Sequence, residues 1–114
     1  MTRSPQEIFT HHLDALSRRD IGDLGTDYEA DALIVTPQGA MHGTDGIEQF
    51  YGQAFTLLPD VDFAVTWTTF AGESLLAGWT ATATAGHVDN GVDTMTFANG
   101  LIRLHCSSFT IEPN

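Results

Sequence analysis

The chain has 114 residues, 42% of them hydrophobic, and carries 15 acidic against 4 basic residues for a formal charge of -11. That length suits a single compact domain spanning residues 1–114, and that charge repels phosphate backbones and anionic lipid, so no nucleic acid or membrane partner is expected. The absence of lysine excludes Schiff-base and pyridoxal-phosphate chemistry on this chain, and the lone Cys106 supports neither an internal disulfide nor a multi-cysteine zinc site.

A cytoplasmic, reducing setting is therefore the expectation. It agrees with the lack of any run near the roughly 20 apolar residues of a membrane span and of a basic, then apolar, signal-peptide start.

Helical signals come first. "SPQE" places Ser4 as an N-cap, Pro5 at the first helical position and Glu7 three residues after the cap, which is a capping box. Ile8, Phe9, Leu13 and Leu16 then form one apolar stripe that also contains His12, with Arg18 and Arg19 expected in the last turn. Asp20 caps a short second helix predicted to run to about Tyr28, weakened by Gly22 and Gly25. "DALIVTP" reads as a strand stopping at Pro37, "QGAMHG" as its hairpin return, and "TDGIEQFYGQAF" as a third helix capped by Thr44 that turns Ile47, Phe50, Tyr51 and Phe55 inward.

From Asp62 onward the rule is alternation, in "DFAVTWTTFAG", "SLLAGWTATATAG" and "GVDTMTFANGLIRLHCSSF", the last being two strands joined at Asn99-Gly100. Helices followed by a run of antiparallel strands predict an α+β fold, with helices on one face of a curved sheet that encloses a pocket. In the last hairpin Asp93 shares the parity of Met95 and Phe97, so a carboxylate is placed on the apolar face. A buried carboxylate is costly unless it is paired or protonated, which makes it either a structural fixture or a chemical tool.

Two registers are open. With a three-residue loop Asp93 opposes His105 on one face; with a two-residue loop it faces Cys106, and His105 turns to the other side. The aromatic residues Phe55, Phe63, Trp67, Trp79 and Phe109, with Met95 and Tyr51, are candidates for a mixture of core and cavity wall. His42 and the pair His87 and Asp89 lack further ligands at metal-site spacing, so no metal is expected. "HHLD" lacks the HExxH spacing of a zincin, and neither a glycine-rich phosphate loop nor a GxSxG elbow is present.

"HHLDALSRRDIGDLGTDYEADALIVTPQGAMHGTDGIEQFYGQAF" and the closing "DTMTFANGLIRL" resemble the SnoaL-like branch of the nuclear transport factor 2-like superfamily. The resemblance covers essentially the whole chain and implies a cone-shaped α+β fold. That scaffold hosts isomerases, polyketide cyclases, dehydratases and non-catalytic modules, so it is specific for fold and weak for function.

Against the related ketosteroid isomerases, the tyrosine position falls on His12, the base position on Thr36 and the proton-donating aspartate on Asp93. The missing carboxylate at Thr36 removes that family's base, and with it the steroid isomerase activity as such. The acid/base aspartate of SnoaL-type cyclases also matches Asp93. The resemblance favours the register that turns His105, Ser107 and Phe109 to the cavity.

The resulting expectation is a homodimer binding a small, largely apolar organic molecule. Its catalytic set would be Asp93 as acid/base, His105 as its partner and His12 polarising the substrate oxygen, with no cofactor. The alternative is a non-catalytic ligand-binding or protein-interaction module in which Asp93 only holds the hairpin.

Overall fold

The computed structural model describes residues 2–114. Three helices, α1 (Pro5–Ser17), α2 (Ile21–Gly25) and α3 (Gly43–Leu57), accompany six strands: β1 (Tyr28–Thr36), β2 (Gly39–His42), β3 (Asp62–Ala71), β4 (Ser74–Thr82), β5 (His87–Ala98) and β6 (Leu101–Ser108). The strands form one sheet in the order β2-β1-β6-β5-β4-β3. Every neighbouring pair is antiparallel except β1 with β6, which is parallel. This is the α+β architecture that the sequence predicts. Among the described residues no helix is long and apolar enough to cross a membrane.

The capping box at Ser4 and Glu7 forms as predicted, each side chain accepting from the other residue's backbone N–H. Other boundaries move. The first helix stops at Ser17, so Arg18 is its C-cap and Arg19 adopts a left-handed conformation at φ 54°, rather than both lying in the last turn. Arg18 pairs instead with Asp14, Asp20 and Asp23, which a residue beyond the helix end can reach together. The second helix ends at Gly25, not near Tyr28, because two glycines leave it too little propensity to continue. Tyr28 opens β1. The third helix begins at Gly43 with His42 at its N-cap and no side-chain cap bond, so Thr44 is inside the helix.

Bulges interrupt the β3–β4, β4–β5 and β5–β6 pairings, and β1 shifts register against β6 between Tyr28 and Leu33. Each irregularity bends its strand and adds twist, so the sheet curves around the helices. The interior divides into two apolar groups. One joins α1, α3, β1 and the central strands through Ile8, Phe9, Ile34, Ile47, Met95 and Ile102; the other lies at the far end around Leu58, Val61, Ala81 and Val88.

Candidate functional site

The turn between β5 and β6 decides what Asp93 meets. Asn99 and Gly100 have φ values of 55° and 77°, the paired left-handed conformation of a two-residue hairpin turn. Ala98 therefore opposes Leu101 and Phe97 opposes Ile102, but Thr96 opposes Leu104, which leaves Arg103 as an extra residue on β6. Beyond this bulge Met95 faces His105 and Asp93 faces Ser107. Neither predicted register holds throughout. The bulge shifts the face by one residue, so a two-residue turn delivers the inward-facing set expected of a three-residue one.

Asp93 consequently reaches His105 on the diagonal, with His105 Nε2 2.9 Å from Asp93 Oδ2. The other carboxylate oxygen accepts from the Ser107 hydroxyl at 2.6 Å and from Trp79 Nε1 at 3.0 Å. Trp79 attains that position because its indole lies directly on Gly91, where an added Cβ would come within 2.2 Å of the ring. Burial alone would push the Asp93 carboxyl up, but the facing charge of His105 and the bonds from His105, Ser107 and Trp79 together hold it below its ordinary value. Asp93 is thus a carboxylate, and His105 Nε2 carries the proton that lies between them.

His105 continues the network through its other nitrogen. Nδ1 is 2.8 Å from the Tyr28 hydroxyl, which is 2.6 Å from the Tyr51 hydroxyl. Burial is the main reason that both phenols are pushed well above the usual tyrosine value. His12 stands across from this run on α1, with its ring 6.1 Å from His105 and 6.1 Å from Tyr51 between centroids. Only 2% exposed, its Nδ1 is the single buried side-chain polar atom without a partner among the described residues. Burial, then repulsion from His105, lowers its pKa to about 3, so His12 is a neutral imidazole at ordinary pH.

All of these side chains except Tyr28 form part of the wall of a cavity of about 520 Å³ that extends between the two apolar groups. Asp93, His105, His12, Tyr51, Phe63, Trp79 and Phe109 all line it. Phe55, Met95 and Trp67 do not, correcting their expected place in the wall. Phe55 packs between the two apolar groups, and Met95 is fully buried beneath the sheet face. Trp67 follows the bulge at Thr66 and lies on the outer face over Gly78, 46% exposed. Thr36 lines the cavity but supplies a hydroxyl where a carboxylate base would stand. Among the described residues Asp93 is the sole carboxylate in the wall, and neither lysine nor arginine is present there.

Tyr28 is the principal participant that the sequence does not single out, because helical signals run up to it. Its shared parity with the buried Ala32 and Ile34 was the available signal. A second polar cluster also went unpredicted: the fully buried Asp27 accepts from Arg3 at 2.8 Å and bonds His11 Nδ1 at 2.7 Å, outside the cavity. Among the described residues no group of three or more His, Cys, Asp or Glu side chains is arranged to hold a metal ion.

The sequence matches the model of the SnoaL-like domain over residues 9–105. The chain belongs to the SnoaL-like domain family. A comparison with curated proteins finds no match. Among solved structures the chain is similar to a candidate polyketide cyclase from Sinorhizobium meliloti, at 17% identity and a TM-score of 0.80 over 91% of this chain and 94% of that one. TerC, co-crystallised with polyporic acid, is similar at 19% identity and a TM-score of 0.80 over 92% of this chain and 90% of TerC. An NTF2-like protein of unknown function from Cytophaga hutchinsonii gives a TM-score of 0.77 at 10% identity, over 96% of this chain and 93% of that one. At these identities the likeness establishes the fold, and this SnoaL-like domain has the NTF2-like architecture.

Proposed function

We propose that this SnoaL-like domain binds a small, neutral, largely apolar organic molecule and moves a proton on it without a cofactor, in an isomerisation, cyclisation or dehydration. One observation carries this reading: an ionised carboxylate bonded to a histidine stands in the wall of a largely apolar cavity, opposite a neutral histidine whose Nδ1 has no partner. The Asp93/His105 pair accepts and returns the proton, and His12 meets the substrate oxygen. With Asp93 as the only carboxylate and no cationic side chain in the wall, an anionic ligand would be repelled without compensation. TerC, on the same fold, was crystallised with polyporic acid, which supports an organic ligand for this domain but not the neutral charge, which rests on the wall of the cavity here.

The test uses 2-tetralone, a neutral enolisable ketone, with the purified protein in heavy water. Proton NMR follows loss of the signal next to the carbonyl, and Trp79 fluorescence follows binding. The parent should accelerate the exchange, and Asp93→Asn should reduce that acceleration by about 10²-fold while still binding the ketone. Equal binding by both with no acceleration by either favours a non-catalytic ligand-binding module. Failure of a series of neutral ketones and phenols to bind at all would overturn the ligand reading.

The partner proposed for the outer face of the sheet is a second copy of the chain. Leu33, Val35, Leu76, Val92 and Trp67 are all exposed large hydrophobic residues, and they cross that face from β1 to β3.

A further inference from the structure

The His105 ring borders the cavity, but both its nitrogens are already bonded, Nε2 to Asp93 and Nδ1 to Tyr28. A proton passing through Nδ1 must therefore meet Tyr28 and then Tyr51, and of these two only Tyr51 lines the cavity. Each phenol has one hydrogen, so the run has two fully bonded states. With His105 neutral, Tyr51 donates to Tyr28, Tyr28 donates to Nδ1, and the Tyr51 oxygen keeps its lone pairs for the cavity. With His105 as imidazolium, Nδ1–H donates to Tyr28, Tyr28 donates to Tyr51, and the Tyr51 hydrogen is released toward the cavity.

We infer that Tyr28 and Tyr51 form a reversible proton conduit between His105 and the cavity, with the Tyr51 hydroxyl as the group that gives the ligand its proton or takes it away. The inference rests on the proposed acid/base role of the Asp93/His105 pair and names its route to the substrate. In the forward direction the Nδ1–H bond breaks as Tyr28 gains that proton. Tyr28 passes its own to Tyr51, and Tyr51 passes its own to a basic oxygen or carbon of the ligand. The imidazole ends neutral, Asp93 remains a carboxylate throughout, and both phenols end as phenols. Because burial disfavours either phenolate, the three transfers occur together rather than through a charged tyrosine.

Asp93 from β5, Tyr28 from β1 and Phe50 from α3 face His105, with Tyr51 reaching it through Tyr28. His12 comes from α1, and Asp27 acts on the run from behind Tyr28. Neutral His12 does not change charge between pH 5 and 8, and His11, which is bonded to Asp27, is followed separately through its own ring nitrogens.

The experiment is NMR on the intact labelled protein, reading the His105 ring nitrogens and the Cζ carbons of Tyr28 and Tyr51 from pH 4 to 9. In the parent the neutral ring should carry its proton on Nε2, and both tyrosine signals should change wherever the His105 ring nitrogens report a change of protonation. In Tyr28→Phe, Tyr51 should no longer follow a change in the His105 ring nitrogens. In Asp93→Asn the amide can turn its NH₂ toward Nε2, which moves the ring proton to Nδ1 and fixes the run in its second polarity. A Tyr51 signal indifferent to His105 in the parent would overturn the conduit, as would one that still follows in Tyr28→Phe or a His105 that never changes protonation. If Tyr28→Phe does not fold, the parent and Asp93→Asn measurements decide. No substrate is needed, so failure here is distinct from failure of the catalytic reading, which the exchange assay judges.

Discussion

The rings of His12 and His105 stand edge to face with centroids 6.1 Å apart, yet one has both nitrogens bonded and the other has an unpartnered Nδ1. The asymmetry follows from topology. His105 is on a strand between two polar neighbours, whereas His12 projects from the apolar stripe of α1 into a cavity that offers it no protein partner.

That placement makes His12 an acid liability. Its pKa falls from 6.5 to about 3 on folding, so below the unfolded value the unfolded chain binds a proton that the native chain refuses. Stability is unaffected well above pH 6.5 and is lost as pH falls from there toward 3. The loss should reach about 2 kcal/mol near pH 5. Urea denaturation of His12→Leu against the parent at pH 8 and pH 5 should show the difference moving by that amount in favour of the variant. A difference that stays constant would mean that His12 is protonated in the folded protein.

His11, the next residue along, behaves in the opposite sense. Its bond to the buried Asp27 is the leading cause that raises its pKa, with Asp23 adding to the effect. A raised folded value stabilises fully below the unfolded 6.5 and is lost as pH rises through the folded value. His11→Gln should therefore destabilise more at pH 6 than at pH 9, in melting curves of the two proteins. Equal losses at both would show that the bond contributes without the charge. Arg3 holds Asp27 from the other side, so His11→Gln should not unfold outright.

Much of this was legible in the sequence because it is local. The Ser4 capping box, the stripe through Ile8 and His12, the Asn99-Gly100 turn and the inward parity of Asp93 are all encoded within a few residues. The bulge at Arg103 was not, since no glycine marks it and only pairing with β5 reveals the extra residue. Tyr28 was hidden by the helix that precedes it. The bonds from Arg3 and His11 to Asp27, and from Trp79 to Asp93, join residues distant in the chain, where periodicity is silent. Trp67 and Trp79 read alike as aromatic residues in alternating strands, and the bulge at Thr66 put Trp67 on the outside.

The seat of Trp79 gives a third test. Since a Cβ on Gly91 would stand 2.2 Å from the indole, Gly91→Ala must displace the ring and break its bond to Asp93. Overpacking of this kind costs about 1–3 kcal/mol. Removing a donor also leaves Asp93 with a weaker hold on its charge, so its pKa should rise in the variant. Chemical denaturation and carboxyl carbon NMR measure the two effects. Unchanged values of both would show that the indole is not held against Gly91 in solution.

The outer face of the sheet offers the last. Leu76 is 40% exposed on it, opposite Thr69 on β3 and Thr94 on β5, with the Trp67 indole over neighbouring Gly78. A chain with a formal charge of -11 has ample acid to solvate this face, yet threonines and large apolar side chains occupy it, as at a surface covered by another apolar one. Self-association through a two-fold axis would bring this face against itself, and an acidic residue introduced among its apolar side chains would then be buried without a partner. Light scattering at micromolar concentration should give a dimer mass for the parent and a monomer mass for Leu76→Glu, with circular dichroism unchanged between them. A parent that is monomeric at those concentrations would overturn the assembly, and a Leu76→Glu dimer would move the contact to another surface.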